Sequence, residues 1–95
     1  MNIYYVSLFD YYGQLFTDKQ KEYFEDYYFN NLSLSEISEN IGVSRNAIHK
    51  SIKLIESKLL FYEENMRLYE KSLKLQSIID KIENKDIKLE LEGLL

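Results

Sequence analysis

The sequence predicts an all-α fold of about five or six helices, one of them long, and three observations carry that prediction. Breakers are scarce: the 95 residues include no proline and only three glycines, Gly13, Gly42 and Gly93. Helices can therefore run uninterrupted, while sandwiches and barrels lack turn formers. Apolar side chains recur three and four residues apart, the helical period. Finally, two capping boxes stand in the first half, Thr17 with Gln20 and Ser33 with Glu36, in which each partner satisfies the other's free backbone donor.

Taken in order, Ile3, Tyr5, Leu8, Phe9, Tyr12 and Leu15 predict a first helix over 3–15 with a broad apolar face. Thr17 opens a second helix from Asp18 to about Asn30, burying Tyr23, Phe24, Tyr27 and Tyr28, and the Asn30-Asn31 pair ends it. Ser33 opens a short third helix that Asn40-Ile41-Gly42 stops, glycine being the residue that takes a left-handed backbone at least cost. Ser44 caps the fourth. Ile48, Ile52, Ile55, Leu59, Tyr62, Met66, Tyr69 and Leu73 then form an unbroken heptad stripe, and no residue between Ser44 and Lys74 would interrupt a single long helix. Two short helices, about 75–83 and 86–94, are expected to close the chain. Such a long helix extends on the order of 45 Å, more than a small core can cover, so either the tail helices fold back over the stripe or a second copy packs against it; of the two, a homodimer through the stripe and tail is expected.

With 95 residues and a 45% hydrophobic fraction, one core and a single domain over 1–95 are expected, with no room for a separate catalytic unit. Cysteine is absent, which excludes disulfides, thiolate metal sites and a cysteine nucleophile. The start, Met1-Asn2-Ile3-Tyr4-Tyr5, has no basic cluster, and Asp10 interrupts any signal-like core. No apolar run approaches the roughly 20 residues that span a bilayer, so a cytoplasmic protein without a membrane partner is expected. The net charge of −4 argues against indiscriminate coating of nucleic acid. Charge is uneven, however. Residues 1–30 hold two lysines against five acids, and residues 61–95 six bases against eight acids; only 31–60 is net positive, with four bases against three acids.

That basic third contains the informative motif. In 33–58, Ile37, Ile41, Val43 and Ile48 are apolar where two steeply crossing helices share a core, and Ser38 is small where their backbones approach. Gly42 sits at the turn and Ser44 caps the second helix. These are the mechanical requirements of a helix-turn-helix. Ser51 departs from the usual pattern by standing where such motifs keep an apolar residue, and Ile52 must serve instead. The helix then opens with Ser44, Arg45, Asn46, His49, Lys50 and Lys53, hydrogen-bonding or cationic types at its positive end. Such a start suits the major groove, where an Arg–guanine or Asn–adenine pair is worth roughly 1–3 kcal/mol of discrimination. These six residues are the candidate contacts to double-stranded DNA.

Around this core, Thr17-Asp18-Lys19-Gln20, the Tyr27-Tyr28 pair, Ser33-Leu34-Ser35-Glu36-Ile37, Val43-Ser44-Arg45-Asn46-Ala47-Ile48 and Tyr62-Glu63-Glu64 resemble the YlxM family of small bacterial proteins over nearly the whole chain. The central part also resembles region four of sigma factors, which reads promoter DNA. The resemblance implies an all-helical, sigma region-four-like fold and a gene lying beside that of the signal recognition particle GTPase. It further implies a regulatory part in that targeting pathway, and no catalytic residues. One difference from sigma region four stands out: there the recognition helix continues into basic residues, whereas here it runs into Tyr62-Glu63-Glu64.

Each candidate has a structural alternative. Arg45 can contact guanine or phosphate, or pair with Glu39 or Glu36. Asn46 can read a base or be a solvated amide. His49, the only histidine, has no second ligand at matching spacing for a metal site and no partner that would make it a general base. Lys50, Lys53 and Lys58 can anchor phosphates or lie solvated. The tyrosines fall at core spacing rather than as base-stacking platforms, and adjacent acids such as Glu63-Glu64 point apart. No cofactor, metal or active site is expected. The reading is a DNA-binding regulatory protein; the alternative is an interaction protein that binds signal recognition particle protein or RNA.

Overall fold

The computed structural model describes residues 2–95; Met1, the head of the N-terminal stretch considered above, lies outside them. Six α-helices make up the described chain: α1 (Ile3–Tyr12), α2 (Asp18–Tyr28), α3 (Leu34–Ile41), α4 (Arg45–Met66), α5 (Leu68–Ile79) and α6 (Lys85–Glu92). A single 3₁₀ turn, Gly13–Leu15, follows α1. The all-α class and the helix-turn-helix are therefore as the sequence predicted, and among the described residues there are no strands.

The predicted caps form with the expected partners. Thr17 Oγ1 accepts from the Gln20 N–H at 3.2 Å while Gln20 Oε1 accepts from the Thr17 N–H at 3.0 Å. Ser33 and Glu36 repeat the arrangement at 3.1 and 3.0 Å. Asn31 adopts the left-handed conformation (φ 54°) just after α2, which its short polar side chain tolerates better than most.

The core lies between α1, α2, α3 and α4. Leu8, Phe9 and Tyr12 of α1, Phe24 and Tyr28 of α2, Ile37 of α3, and Ile48, Ile52, Ile55 and Leu59 of α4 are all buried in it. An aromatic stack joins α1 to α2, with Phe9 and Phe24 ring centroids 4.1 Å apart, and continues within α2, where Phe24 and Tyr28 are 4.4 Å apart. Ile52 takes the inward role expected of it opposite half-buried Ser51.

The structure corrects the second half. A helix continuous to Lys74 is not observed: α4 stops at Met66, Arg67 is left-handed (φ 54°, ψ 32°), and α5 starts at once in a new direction. The expected helix at 75–83 is instead the end of α5 and the turn after it. The cause is a carboxylate buried beneath the joint. Glu63 is only 8% exposed; it accepts the Tyr12 hydroxyl at 2.6 Å and the Tyr69 and Glu70 N–H groups at 3.1 and 3.0 Å. The Tyr12 hydroxyl in turn accepts the Leu68 N–H at 2.9 Å. Three of the free donors that open α5 are thus satisfied from α4 and α1, and a new helix is nucleated where the old one would have continued.

The stripe is consequently divided. From Ile48 to Leu59 it is buried within the chain, Tyr62 and Tyr69 pack against the same core, and only Met66 and Leu73 are exposed. The seam expected to pair two copies is largely spent inside one, so helix length no longer calls for a partner there. Tyr11 fastens α5 to α1 through a 2.8 Å hydrogen bond to Ser72. Burial pushes the Tyr12 phenol up to about 12, and its hydrogen bond to Glu63 adds to the effect. Among the described residues no helix is long and apolar enough to cross a membrane.

Candidate nucleic-acid interface

The α3–α4 corner is built by three local interactions. Gly42 takes φ 80°, a conformation glycine reaches without a Cβ penalty, and its N–H closes on the Ser38 carbonyl at 2.9 Å. The Ser38 hydroxyl reaches across the turn to donate to the Val43 carbonyl at 2.5 Å, so the small residue at the crossing is also its clasp. Ser44 Oγ accepts from the Ala47 N–H at 3.1 Å, starting α4. Ile37 of α3 and Ile48 of α4 are both buried in the core beneath the corner.

This corner presents every sequence-predicted contact to solvent: Ser44, Arg45, Asn46, His49, Lys50 and Lys53 are all exposed. At roughly 100° per residue, the five helical members span an arc of about 140°; Asn46, His49, Lys50 and Lys53 turn away from buried Ile48, Ile52 and Ile55, while Arg45, at the exposed first turn, marks the arc's edge nearest Ile52. Leu34, Arg45, Asn46 and His49 line an open groove where α3 meets the start of α4. Ser44 satisfies one first-turn donor, and the Arg45 and Asn46 N–H groups point outward along the helix axis, where the helix dipole favours an anion.

Partners divide the cations into two kinds. No carboxylate lies within 4.0 Å of Arg45 or Lys50 among the described residues, so the pairing of Arg45 with Glu36 or Glu39 is not observed. Glu36 is engaged elsewhere: the Ser33 N–H holds its carboxyl below the usual carboxylate range. Lys53 is tethered, its Nζ 3.4 Å from Glu56 Oε1. Glu56 itself is 7% exposed and accepts the hydroxyl of buried Tyr28, whose pKa rises through burial and then through that bond. Sequence reasoning missed Glu56, although the i, i+3 spacing of Lys53 and Glu56 was a usable signal. It also missed Leu34, whose place in the groove follows from the crossing angle and has no local signature. Lys58 is half-buried and lies round the helix from the six.

Beyond this positive start, α4 carries exposed Leu54, Leu60 and Phe61. The acidic neighbours Glu63 and Glu64 diverge, one into the core and the other to solvent.

Comparison with known proteins follows the same outline. The family model described as "Putative helix-turn-helix protein, YlxM / p13 like" (UPF0122) matches residues 1–93. A UPF0122 protein of Thermoanaerobacter sp. (strain X514) is 45% identical over 75 residues, which are 79% of this chain and 64% of that protein. One from Oceanobacillus iheyensis is 44% identical over 75 residues, 79% of this chain and 71% of its own length. One from Streptococcus gordonii is 40% identical over 79 residues, or 83% and 72%. Matches to the Thermoanaerobacter protein thus span a little under two thirds of that relative. The matched description is of a helix-turn-helix protein and names no enzyme.

Proposed function

Because this chain belongs to the UPF0122 family of YlxM/p13-like helix-turn-helix proteins, we propose that it is a DNA-binding regulatory protein whose α4 start enters the major groove of a duplex. The observation that carries this reading is the shared exposure of Ser44, Arg45, Asn46, His49, Lys50 and Lys53 on one arc of a capped helix. Arg45 and Asn46 are the base readers, Arg45 being free of intramolecular ion pairs and both lying nearest the helix start. Lys50 is the phosphate anchor, and Lys53 contributes less because reaching a phosphate means leaving Glu56. The family resemblance supports setting this activity in signal recognition particle-dependent targeting.

A salt titration of duplex binding tests the proposal. Lys50→Ala is expected to flatten the plot of log K against log salt by about one unit, and Lys53→Ala by less. Arg45→Ala is expected to weaken binding and relax preference at one base position. Absence of duplex binding by the wild-type protein at low salt would overturn the proposal.

A second reading is favoured by the exposed Leu54, Leu60 and Phe61 further along α4: the scaffold contacts protein or RNA of the signal recognition particle and not DNA. Retention of the particle's GTPase or RNA by the immobilised protein, with no retention of duplex DNA, would select this reading over the first.

A further inference from the structure

The core-facing stripe of α4 is used within the chain, yet the opposite side of the same helix carries a second one. Lys50, Leu54, Ser57, Phe61 and Glu64 step by four, three, four and three residues, and all five are exposed. That spacing keeps one seam turned toward a neighbouring helix. Its apolar members are conspicuously bare, with Leu54 50% and Phe61 59% exposed, and adjoining Leu60 is 42% exposed.

The seam has a direction: it opens with a cation, closes with a carboxylate, and has a small residue at its middle. About Ser57, residues nearly equally far on either side would meet in an antiparallel pair of helices. Lys50 then faces the second copy's Glu64, and Leu54 faces its Phe61. Lys53 lays its stem across Leu60. Each contact occurs twice, as an isologous two-fold interface requires. A parallel pair would instead set Lys50 against Lys50 and Glu64 against Glu64, which like-charge repulsion disfavours. Serine at the crossing lets the two backbones approach closely, and the half-exposed apolar side chains supply what is buried.

We infer that the outward face of α4 is a self-docking surface on which a second copy of this chain packs antiparallel, centred on Ser57, with reciprocal Lys50–Glu64 pairs. This surface is not the inward heptad stripe; it is the one that stays bare once that stripe is buried. A consequence, resting on the DNA-binding reading proposed above, is competition: the paired form covers Lys50 and Lys53, so the dimer is the form that does not bind a duplex, and its dissociation exposes the binding face.

Sedimentation equilibrium across a concentration series tests the pairing, with circular dichroism to check that each variant is folded. The wild type is expected to dimerise reversibly. Lys50→Glu and Glu64→Lys should each raise the dimer dissociation constant about tenfold or more, since two attractive pairs become repulsive. The double exchange, Lys50→Glu with Glu64→Lys, should restore dimerisation. A wild type that stays monomeric at millimolar concentration, single variants of unchanged mass, or a double exchange that fails to rescue would each overturn the inference. Duplex binding distinguishes the two proposals. Glu64→Lys, which leaves every proposed DNA contact in place, should bind a duplex more tightly than wild type if they compete. If the charge exchange rescues dimerisation but no variant binds a duplex, the self-docking surface stands and the DNA-binding reading fails.

Discussion

Replacing Glu63 with alanine should unfold the protein far more readily than loss of an ordinary surface acid, because this carboxylate holds the α4–α5 joint. Three donors converge on it: the Tyr12 hydroxyl at 2.6 Å and the Tyr69 and Glu70 N–H groups at 3.1 and 3.0 Å. Losing a helix cap costs about 1 kcal/mol, and up to 2 in some hosts. Leaving a buried hydroxyl without its acceptor costs a further 1–3 kcal/mol or so. Tyr12 meets that condition, being 1% exposed. Together these give about 2–5 kcal/mol for Glu63→Ala, a large part of the stability of so small a domain. At about 4–8 °C per kcal/mol for a chain of this size, the midpoint should fall by roughly 8–40 °C. Glu63→Gln should cost less, about 1–2 kcal/mol. Its amide oxygen still accepts from Tyr12 and Tyr69, but its NH₂ group confronts the Glu70 donor. Urea denaturation gives the free energies, and amide exchange at Tyr69 and Glu70 locates the change. A Glu63→Ala variant within about 1 kcal/mol of wild type, or unaltered protection of those two amides, would refute the reasoning.

Three further expectations follow from particular residues. Gly42→Ala should destabilise by about 1–2 kcal/mol through backbone strain alone, since an added Cβ meets nothing within 4 Å at that φ of +80°; thermal unfolding reads the loss, and duplex affinity should fall with the corner's geometry. Arg67→Gly should do the reverse, stabilising by up to about 1 kcal/mol because the left-handed joint (φ 54°) no longer holds a side chain; an unchanged or lower midpoint would count against it. On the alkaline side of neutrality, stability should be flat up to about pH 10 and fall above it. The folded Tyr12 phenol ionises near 12 rather than at its usual 10.0, so its contribution is complete below the unfolded value and is lost as pH rises through the folded one; urea unfolding across the alkaline range should show a shallower decline in Tyr12→Phe.

The parts of this fold that were legible in advance are those whose causes are local. Thr17 and Gln20, or Ser33 and Glu36, sit three residues apart and satisfy each other's backbone, so the sequence window contains the whole interaction. Gly42 marks its own left-handed turn. The end of α4 was illegible for the opposite reason. Nothing between Ser44 and Lys74 disfavours a helix, and heptad spacing positively favours one. The stop is made by Glu63 together with a hydroxyl from α1, and Tyr12 lies 51 residues from Glu63 along the chain. A buried carboxylate beside two tyrosines looks, in one dimension, like one more acid in an acidic stretch. Lys53 has the same history: its spacing from Glu56 was visible, but the burial of Glu56 under Tyr28, which makes the tether firm, depends on α2.

That joint changes what the rest of α4 is available for. Had the helix continued through Arg67, its inward stripe would have left the core and needed a partner along Met66, Tyr69 and Leu73. Turning at Arg67 instead brings Tyr69 back to the core, edge-on to Tyr4 and Tyr11 at centroid distances of 5.8 and 6.0 Å. One side of α4 is then fully committed to the monomer. The other side is left with a cationic start, three bare apolar side chains and one exposed carboxylate, within about five turns of helix. Duplex binding draws on the first of these and self-pairing on all three, and Lys50 belongs to both. A substitution at Lys50 should therefore move DNA affinity and oligomeric state together, whereas one at Arg45 should move the first alone and one at Phe61 chiefly the second.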